Sequence, residues 1–194
     1  MMLADCGQDF VTNPNLLALA CEDAEVFGDW AMPDYRRIAA ELGRTPESTV
    51  FSIEDSDYGS GGWASFIEIR LACRGAEPEI RDGYQVTRYA SVVVCRIAPL
   101  AALMKVAEAR VALNGKGSCG YLPVADDLVS AVPWDTRQRI PEILANYGYQ
   151  ILAPEIGRLR LPDGLGVDTL LTSKDEKDCY IGHHVFDAWF HWMD

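Results

Sequence analysis

The chain has 194 residues, 49% of them hydrophobic and 24% charged. This composition excludes an intrinsically disordered protein and fits one globular domain over residues 1–194. Acidic residues outnumber basic ones by 29 to 17, giving a formal net charge of −12, which disfavours binding to nucleic acid or to an anionic membrane because both depend on lysine and arginine. No run approaches the roughly 18 consecutive apolar residues of a membrane-spanning helix, so we expect a soluble chain.

The cysteines and the N-terminal residues indicate a reducing setting. The first residues lack a basic stretch followed by an apolar run, so we expect no export signal. No two of the six cysteines have the CxxC spacing of a metal or redox site. We therefore expect six reduced thiols in a bacterial cytoplasm, without a metal or a cofactor.

The beginning of the chain is predicted to be helical. Asn13 followed by Pro14 is typical of a helix N-terminus, and apolar residues recur at helical spacing over 14–27. A second, shorter helix over 35–42 is expected to end at Gly43, with that glycine in the left-handed conformation.

The periodicity then changes from helical to alternating, which predicts strands. The first two strands cover 50–53 and 63–71, and a hairpin loop over 55–62 joins them. In the second strand Glu68 and Arg70 alternate with apolar residues. We therefore expect both charged side chains on a solvated face of the sheet.

A third strand and a third helix are predicted in the middle of the chain. The Asp82-Gly83 turn opens a strand over 84–97, whose centre is apolar and expected to be buried. Pro99 begins a predicted helix over 99–113, and Asn114-Gly115 closes it.

Asp135 is expected to cap a fourth helix. This helix covers 136–147, is loosened or kinked at Pro141 and ends before Gly148. Short strands are predicted after it, at 149–152, 158–161, 167–171 and 185–192. Because helices and strands come in blocks, the chain is predicted to be α+β, with N-terminal helices and two further helices packed on a largely antiparallel sheet.

Two places in the sequence suggest catalysis. Cys119 lies in a glycine-rich segment beside Lys116, where a thiolate would have a lowered pKa, and it would need a histidine as its base. The three histidines are His183, His184 and His191. With such a pair, or with a metal held by the C-terminal histidines, the chain would be a small hydrolase or transferase.

Simpler interpretations of both places are favoured. On a helix His183, Asp187 and His191 would share one face, but three ligands in one row cannot enclose a tetrahedral metal ion. A packed terminal strand over 185–192 explains the same residues. Nothing in the sequence brings Cys119 to an imidazole, so we predict no catalytic residue, no metal site and no enzyme.

The acidic residues are concentrated near the N-terminus. Residues 1–60 hold twelve acidic and three basic residues. If these carboxylates form one surface, that surface attracts a basic protein and raises its rate of encounter at low salt. The alternatives are that the acidity only keeps the protein soluble, or that the chain is a structural or phage-encoded accessory protein.

The acidic segment Glu22-Asp23-Ala24-Glu25 lies on the first predicted helix, Asp29-Trp30 follows that helix, and the C-terminal segment 185–192 is aromatic. In these features and in its size, the chain resembles bacterial immunity proteins, which neutralise a cognate toxin. The resemblance implies one-to-one binding that covers a basic active site, with acidic side chains in place of substrate phosphates and aromatic side chains as anchors. The residues expected to bind the partner are Glu22, Asp23, Glu25, Asp29, Trp30, Glu54, Asp55, Asp57, Tyr58 and Trp63.

Overall fold

The computed structural model describes residues 7–22, 27–29, 31, 33–55, 63–115, 118–119, 122–169 and 181–193. The helices in these ranges are α1 (Pro14–Glu22), α2 (Tyr35–Leu42), α3 (Arg139–Asn146), α4 (Pro154–Gly157) and α5 (Val185–Trp189). The strands are β1 (Ser48–Glu54), β2 (Trp63–Ala64), β3 (Phe66–Cys73), β4 (Glu79–Arg81), β5 (Tyr84–Cys95), β6 (Leu100–Leu103), β7 (Ala107–Ala112), β8 (Ser118–Cys119), β9 (Gln150–Ile151), β10 (Val167–Asp168), β11 (Ile181–Gly182) and β12 (Trp192–Met193). This content confirms the predicted α+β class.

The main sheet has eight strands and is mostly antiparallel. Its central order is β1-β3-β5-β6-β9, and only the short β6–β9 pair within it is parallel. Strands β4 and β7 flank the first half of β5, and β8 pairs with β7. We call residues 77–89, which include β4 and the first half of β5, together with β7 and β8, the arm. None of the helices in the described ranges is both long and apolar enough to cross a membrane.

Helices cover both faces of the central strands, and each face has its own hydrophobic core. On one face Ile38 of α2 and Leu144 of α3 pack against apolar residues of β3, β5 and β6. On the opposite face Leu17 of α1 and Trp189 of α5 join a second core. Burial of these faces is the main driving force for the fold.

The predicted helix ends are confirmed in part. The Asn13 side chain accepts hydrogen bonds from the backbone N–H groups of Asn15 and Leu16, at 3.0 and 3.3 Å, as an N-cap should. Gly43 does end α2, but its φ is −69°, so the left-handed conformation predicted for it is wrong. A side chain there would be crowded, because its Cβ would lie 3.2 Å from Val50 Cγ2.

The Asp135 side chain does bind the start of α3, but the N-cap position is Gln138, because the helix starts later than predicted. The Asp135 carboxylate accepts hydrogen bonds from the N–H groups of Arg139 and Ile140, at 2.8 and 3.0 Å. Because α3 begins at Arg139, Pro141 lies in its first turn, where a missing N–H costs little. No kink is therefore needed at Pro141.

The helix predicted over 99–113 is wrong, because that segment forms β6 and β7. All four residues of β6 are buried, with Ala101 in one core and Ala102 in the other. Burial on both faces removes the alternation that would have indicated a strand. Pairing with β5 outweighs helix propensities that differ by only a few tenths of a kcal/mol per residue.

The predicted C-terminal strands are confirmed in part, because β9 lies within the predicted range 149–152 and β10 within 167–171. In the last predicted strand, residues 185–189 instead form helix α5, and only Trp192–Met193 form a strand, which pairs with β2. All five residues of α5 are buried, so the sequence carries no helical alternation of apolar and polar residues. In the region predicted as a strand over 158–161, only an isolated bridge between Arg160 and His184 is present.

Candidate functional site

Three of the predicted partner-binding acids lie at one end of the main sheet. There β1 ends at Glu54, opposite Glu68 of β3, and Asp55 follows directly. At the same end β5 finishes opposite Phe66, and Arg96 after it holds Asp29. We call Asp29, Glu54 and Asp55 the acidic end.

Asp29 and Asp55 accept hydrogen bonds from side chains that do not belong to a strand, Arg96 after β5 and Tyr35 in α2. Arg96 donates to Asp29 Oδ2 from Nη2 at 2.6 Å and from Nε at 3.1 Å. The buried Tyr35 donates its hydroxyl to Asp55 Oδ2, and the Arg36 guanidinium is 3.6 Å from the same oxygen. The hydrogen bond to Asp55, together with burial, raises the pKa of Tyr35 and keeps its phenol protonated.

Glu54 is held by a network of charged side chains that includes the buried residues Arg70 and Glu68. Arg70 donates to Glu54 Oε1 at 2.9 Å and to Glu68 Oε2 at 2.7 Å. Ser91 donates its hydroxyl to the other oxygen of Glu68, and the Arg70 guanidinium lies 5.1 Å from the centre of the Tyr89 ring. One member of the acidic end, Glu54, is therefore held by a mostly buried cation.

This network corrects the prediction that Glu68 and Arg70 face solvent. Glu68 is 0% exposed and Arg70 is 9% exposed. The alternation that suggested a solvated face marks instead a buried ion pair, which is stable only when both charges find partners. The available sequence signal was Ser91, which interrupts the apolar run of β5 and lies opposite Arg70 in the ladder.

The acidic end retains unused acceptors. In the described part of the chain, Glu54 and Asp55 each use one carboxylate oxygen, and their other oxygens accept no hydrogen bond. Both side chains are about one-third exposed, at 32% and 31%. A lysine or arginine from outside can therefore approach carboxylates whose orientation is already fixed.

The structure describes only some of the other residues predicted to bind the partner. Glu22 is exposed at the C-terminal end of α1. Trp63 is in β2, directly before the start of β3, so its backbone lies near the acidic end. Outside the described residues are Asp23, Glu25, Trp30, Asp57 and Tyr58.

The backbone of Cys119 lies in a different part of the sheet from the C-terminal histidines. Cys119 lies in the arm, where it is joined through Arg110 to Val86 near the start of β5. The thiol of Cys95, at the opposite end of β5, donates to the carbonyl of Trp189 in the histidine-bearing C-terminal segment. Val86 and Cys95 are nine positions apart along β5, which is about 30 Å at roughly 3.3 Å per residue.

The C-terminal histidines are not arranged in the single helical row considered above. His183 precedes α5 and His191 follows it, so these residues do not form one helical row with Asp187. The backbone N–H of His184 donates to Asp187 Oδ2 at 2.8 Å, and the His184 ring nitrogen Nδ1 is 3.2 Å from the same oxygen. Within the described ranges no three histidine, cysteine, aspartate or glutamate side chains converge as a metal site would require.

His191 is expected to make the stability of the protein depend on pH. Burial lowers its pKa to about 4, although hydrogen bonds to the backbone at Ala188 and Asp187 partly oppose this. The unfolded chain binds a proton near the ordinary pKa of about 6.5 while the folded chain does not, so stability is full above that pH and falls as the pH drops towards 4. We expect a loss of about 2 kcal/mol between pH 7 and pH 5.

The comparison variant for this prediction is His191→Asn, whose amide can still donate to the Ala188 carbonyl. Urea unfolding at pH 7 and pH 5 should show a smaller loss in the variant than in the wild-type chain, by about the 2 kcal/mol assigned to the imidazole. Equal losses in the two proteins would show that His191 does not resist protonation.

No model of a known protein family matches the chain, and no curated protein or solved structure is detectably similar to it.

Proposed function

We propose that the chain is an acidic protein-binding domain whose acidic end docks against a cationic protein. The observation that carries this proposal is the gathering of Asp29, Glu54 and Asp55 at one end of the sheet. The net charge of −12 adds a long-range attraction for basic partners and repulsion of polyanions.

The fixed orientation of the carboxylates supports a specific contact as well as a general attraction. Glu54 is held by the mostly buried Arg70, and Asp55 by the hydroxyl of buried Tyr35. Side chains that are ordered before binding lose little conformational entropy in the complex. The acidic end therefore suits the cleft of a partner in which lysine and arginine side chains are also fixed.

The partner class that we propose is a bacterial toxin domain with a basic active site, which the acidic end would occlude inside the cytoplasm. An enzyme that binds phosphates presents fixed cationic groups, and carboxylates at matching positions compete for them. The class-level resemblance to immunity proteins supports the same partner. The chain would then act as an inhibitor.

The test neutralises the acidic end without changing its shape. In the triple variant Asp29→Asn, Glu54→Gln and Asp55→Asn, the amide oxygens can still accept the hydrogen bonds that hold these side chains. A cationic toxin domain captured by the wild-type chain should associate with the variant at least about tenfold more slowly at low salt. Stopped-flow or surface-based kinetics across a salt series measures this, and the difference should shrink at high salt.

A control with the same change in charge is available on the arm. It replaces the exposed residues Glu77 and Glu79 by glutamine and Asp82 by asparagine. Asn accepts the positive φ of 54° at position 82. Association with this control should stay within about twofold of wild type, and equal slowing in both variants would mean that only net charge matters and that the acidic end is not the docking surface.

A further inference from the structure

A cleft with a basic lining lies between α2 and α3, away from the residues of the acidic end. The loop after α2 and the start of α3 line an open depression of about 330 Å³. Its lining includes three arginines, Arg44, Arg137 and Arg139, and only one acidic residue, Glu41. In a chain with a net charge of −12 and only 17 basic residues, this is a local reversal of charge.

The single acid in the lining is already engaged. Glu41 Oε1 accepts a hydrogen bond from the hydroxyl of Tyr147 at 2.6 Å. That hydrogen bond is the main cause of the raised pKa of Tyr147. Glu41 therefore balances at most one of the three guanidinium charges. Glu47 and Glu142, outside the lining, lie beside Arg137 and Arg139, so an anion in the cleft competes with these two carboxylates.

The three guanidinium groups retain free donors. Arg44 is exposed and makes no ion pair with any described residue. Arg137 Nε is 3.6 Å from Glu47 Oε1, which is beyond hydrogen-bond length. Arg139 pairs with Glu142 at 2.9 Å, but the two side chains are 52% and 59% exposed, and such surface pairs are weak enough to exchange for a better partner.

The partial charges of the backbone around the cleft do not repel an anion. The C-terminal end of a helix carries partial negative charge on its last carbonyl groups, which would repel an anion. Here Arg74 donates to the carbonyls of Gly43, Thr45 and Ser48, at 2.6, 2.9 and 2.5 Å, and neutralises this end of α2. The first N–H groups of α3 are taken by Asp135, so side chains, not the helix terminus, would bind the ligand.

We propose that this cleft binds the phosphate group of a small phosphorylated molecule. Guanidinium groups donate paired hydrogen bonds that match phosphate oxygens, and three of them suit a dianion better than a single carboxylate. The volume is at the lower limit of small-molecule sites, which span about 300–1,000 Å³, so it fits one phosphate with a small substituent. Ile143 and Pro46 provide apolar contact for that substituent.

The experiment is a titration of the full chain with inorganic phosphate at constant ionic strength, followed through the arginine Nε–H signals by NMR. We expect saturable binding, and binding of acetate at least about tenfold weaker. In the double variant Arg44→Gln and Arg137→Gln, phosphate affinity should fall at least about tenfold, because two charge-assisted donors are lost. Circular dichroism of the variant checks that it is folded.

The matched control is Arg88→Gln with Arg110→Gln, which removes two exposed arginines from the arm. Its affinity for phosphate should stay within about twofold of wild type. Absence of saturation, acetate binding as tight as phosphate, or an equal loss in the control would each overturn the proposal. None of these outcomes bears on the acidic end, since the two sites share no residue.

Discussion

Replacing Arg70 by methionine is expected to lower the free energy of unfolding by about 3–5 kcal/mol, because it takes the guanidinium away from a buried carboxylate. Glu68 is fully buried, and Arg70 contacts it at 2.7 Å. The substitution keeps most of the apolar stem of Arg70, so the loss reports the charge and not the packing. Equilibrium urea unfolding followed by circular dichroism measures it.

Two variants separate this explanation from a general effect of losing an arginine. Arg88→Met removes an exposed arginine from β5 and should change stability by less than about 0.5 kcal/mol. The double variant Glu68→Met and Arg70→Met removes both charges and should recover most of the loss, since a buried pair replaced by apolar residues is often neutral. A double variant as unstable as Arg70→Met alone would show that packing, not charge, is responsible.

Replacing Trp189 by alanine is expected to lower the free energy of unfolding by a similar amount, about 3–5 kcal/mol, because the indole connects the two ends of the described chain. Trp189 is fully buried and meets the rings of Phe10 and Phe27 edge-on, with centroids 5.8 and 5.7 Å away. Its N–H donates to the carbonyl of Val11 at 3.0 Å. The alanine variant loses these contacts and leaves a cavity in the core that α1 and α5 share.

The comparison for this prediction is Trp189→Phe, which keeps one ring and loses the hydrogen bond. It should cost about 1–2 kcal/mol. Urea unfolding of both variants gives the two values on one scale. If the free energy of unfolding of Trp189→Ala lies within about 1 kcal/mol of the wild-type value, the contacts of α5 with the N-terminal segment do not stabilise the fold.

Parts of the fold could be predicted from short sequence motifs that favour a single local conformation. Asn13 before Pro14 fixed the start of α1, and Asp82-Gly83, both with positive φ, fixed the β4–β5 turn. The alternating pattern of β3 gave the correct strand. Each of these features is determined by a few residues that are adjacent in the sequence, so it can be predicted from the sequence alone.

The failed predictions concern segments whose conformation is decided by distant contacts. Strand β6 is buried between β5 and β9, and α5 is buried on every side, so neither shows a polar face. The burial of Glu68 and Arg70 depends on what covers the sheet, which alternation within one strand does not reveal. The acidic character of residues 1–60 was evident, but the placement of Asp29 at the same end of the sheet as Glu54 and Asp55 required the sheet register.

The central claim is that a cationic protein covers the acidic end, and carboxyl footprinting tests it most directly. The chain, alone and bound to its captured partner, is labelled with a carbodiimide and an amine, and each carboxylate is quantified by mass spectrometry. We predict that Asp29, Glu54 and Asp55 lose labelling in the complex, while Glu77 and Glu79 on the arm keep theirs. Unchanged labelling at the acidic end, with protection on the arm instead, would contradict the account.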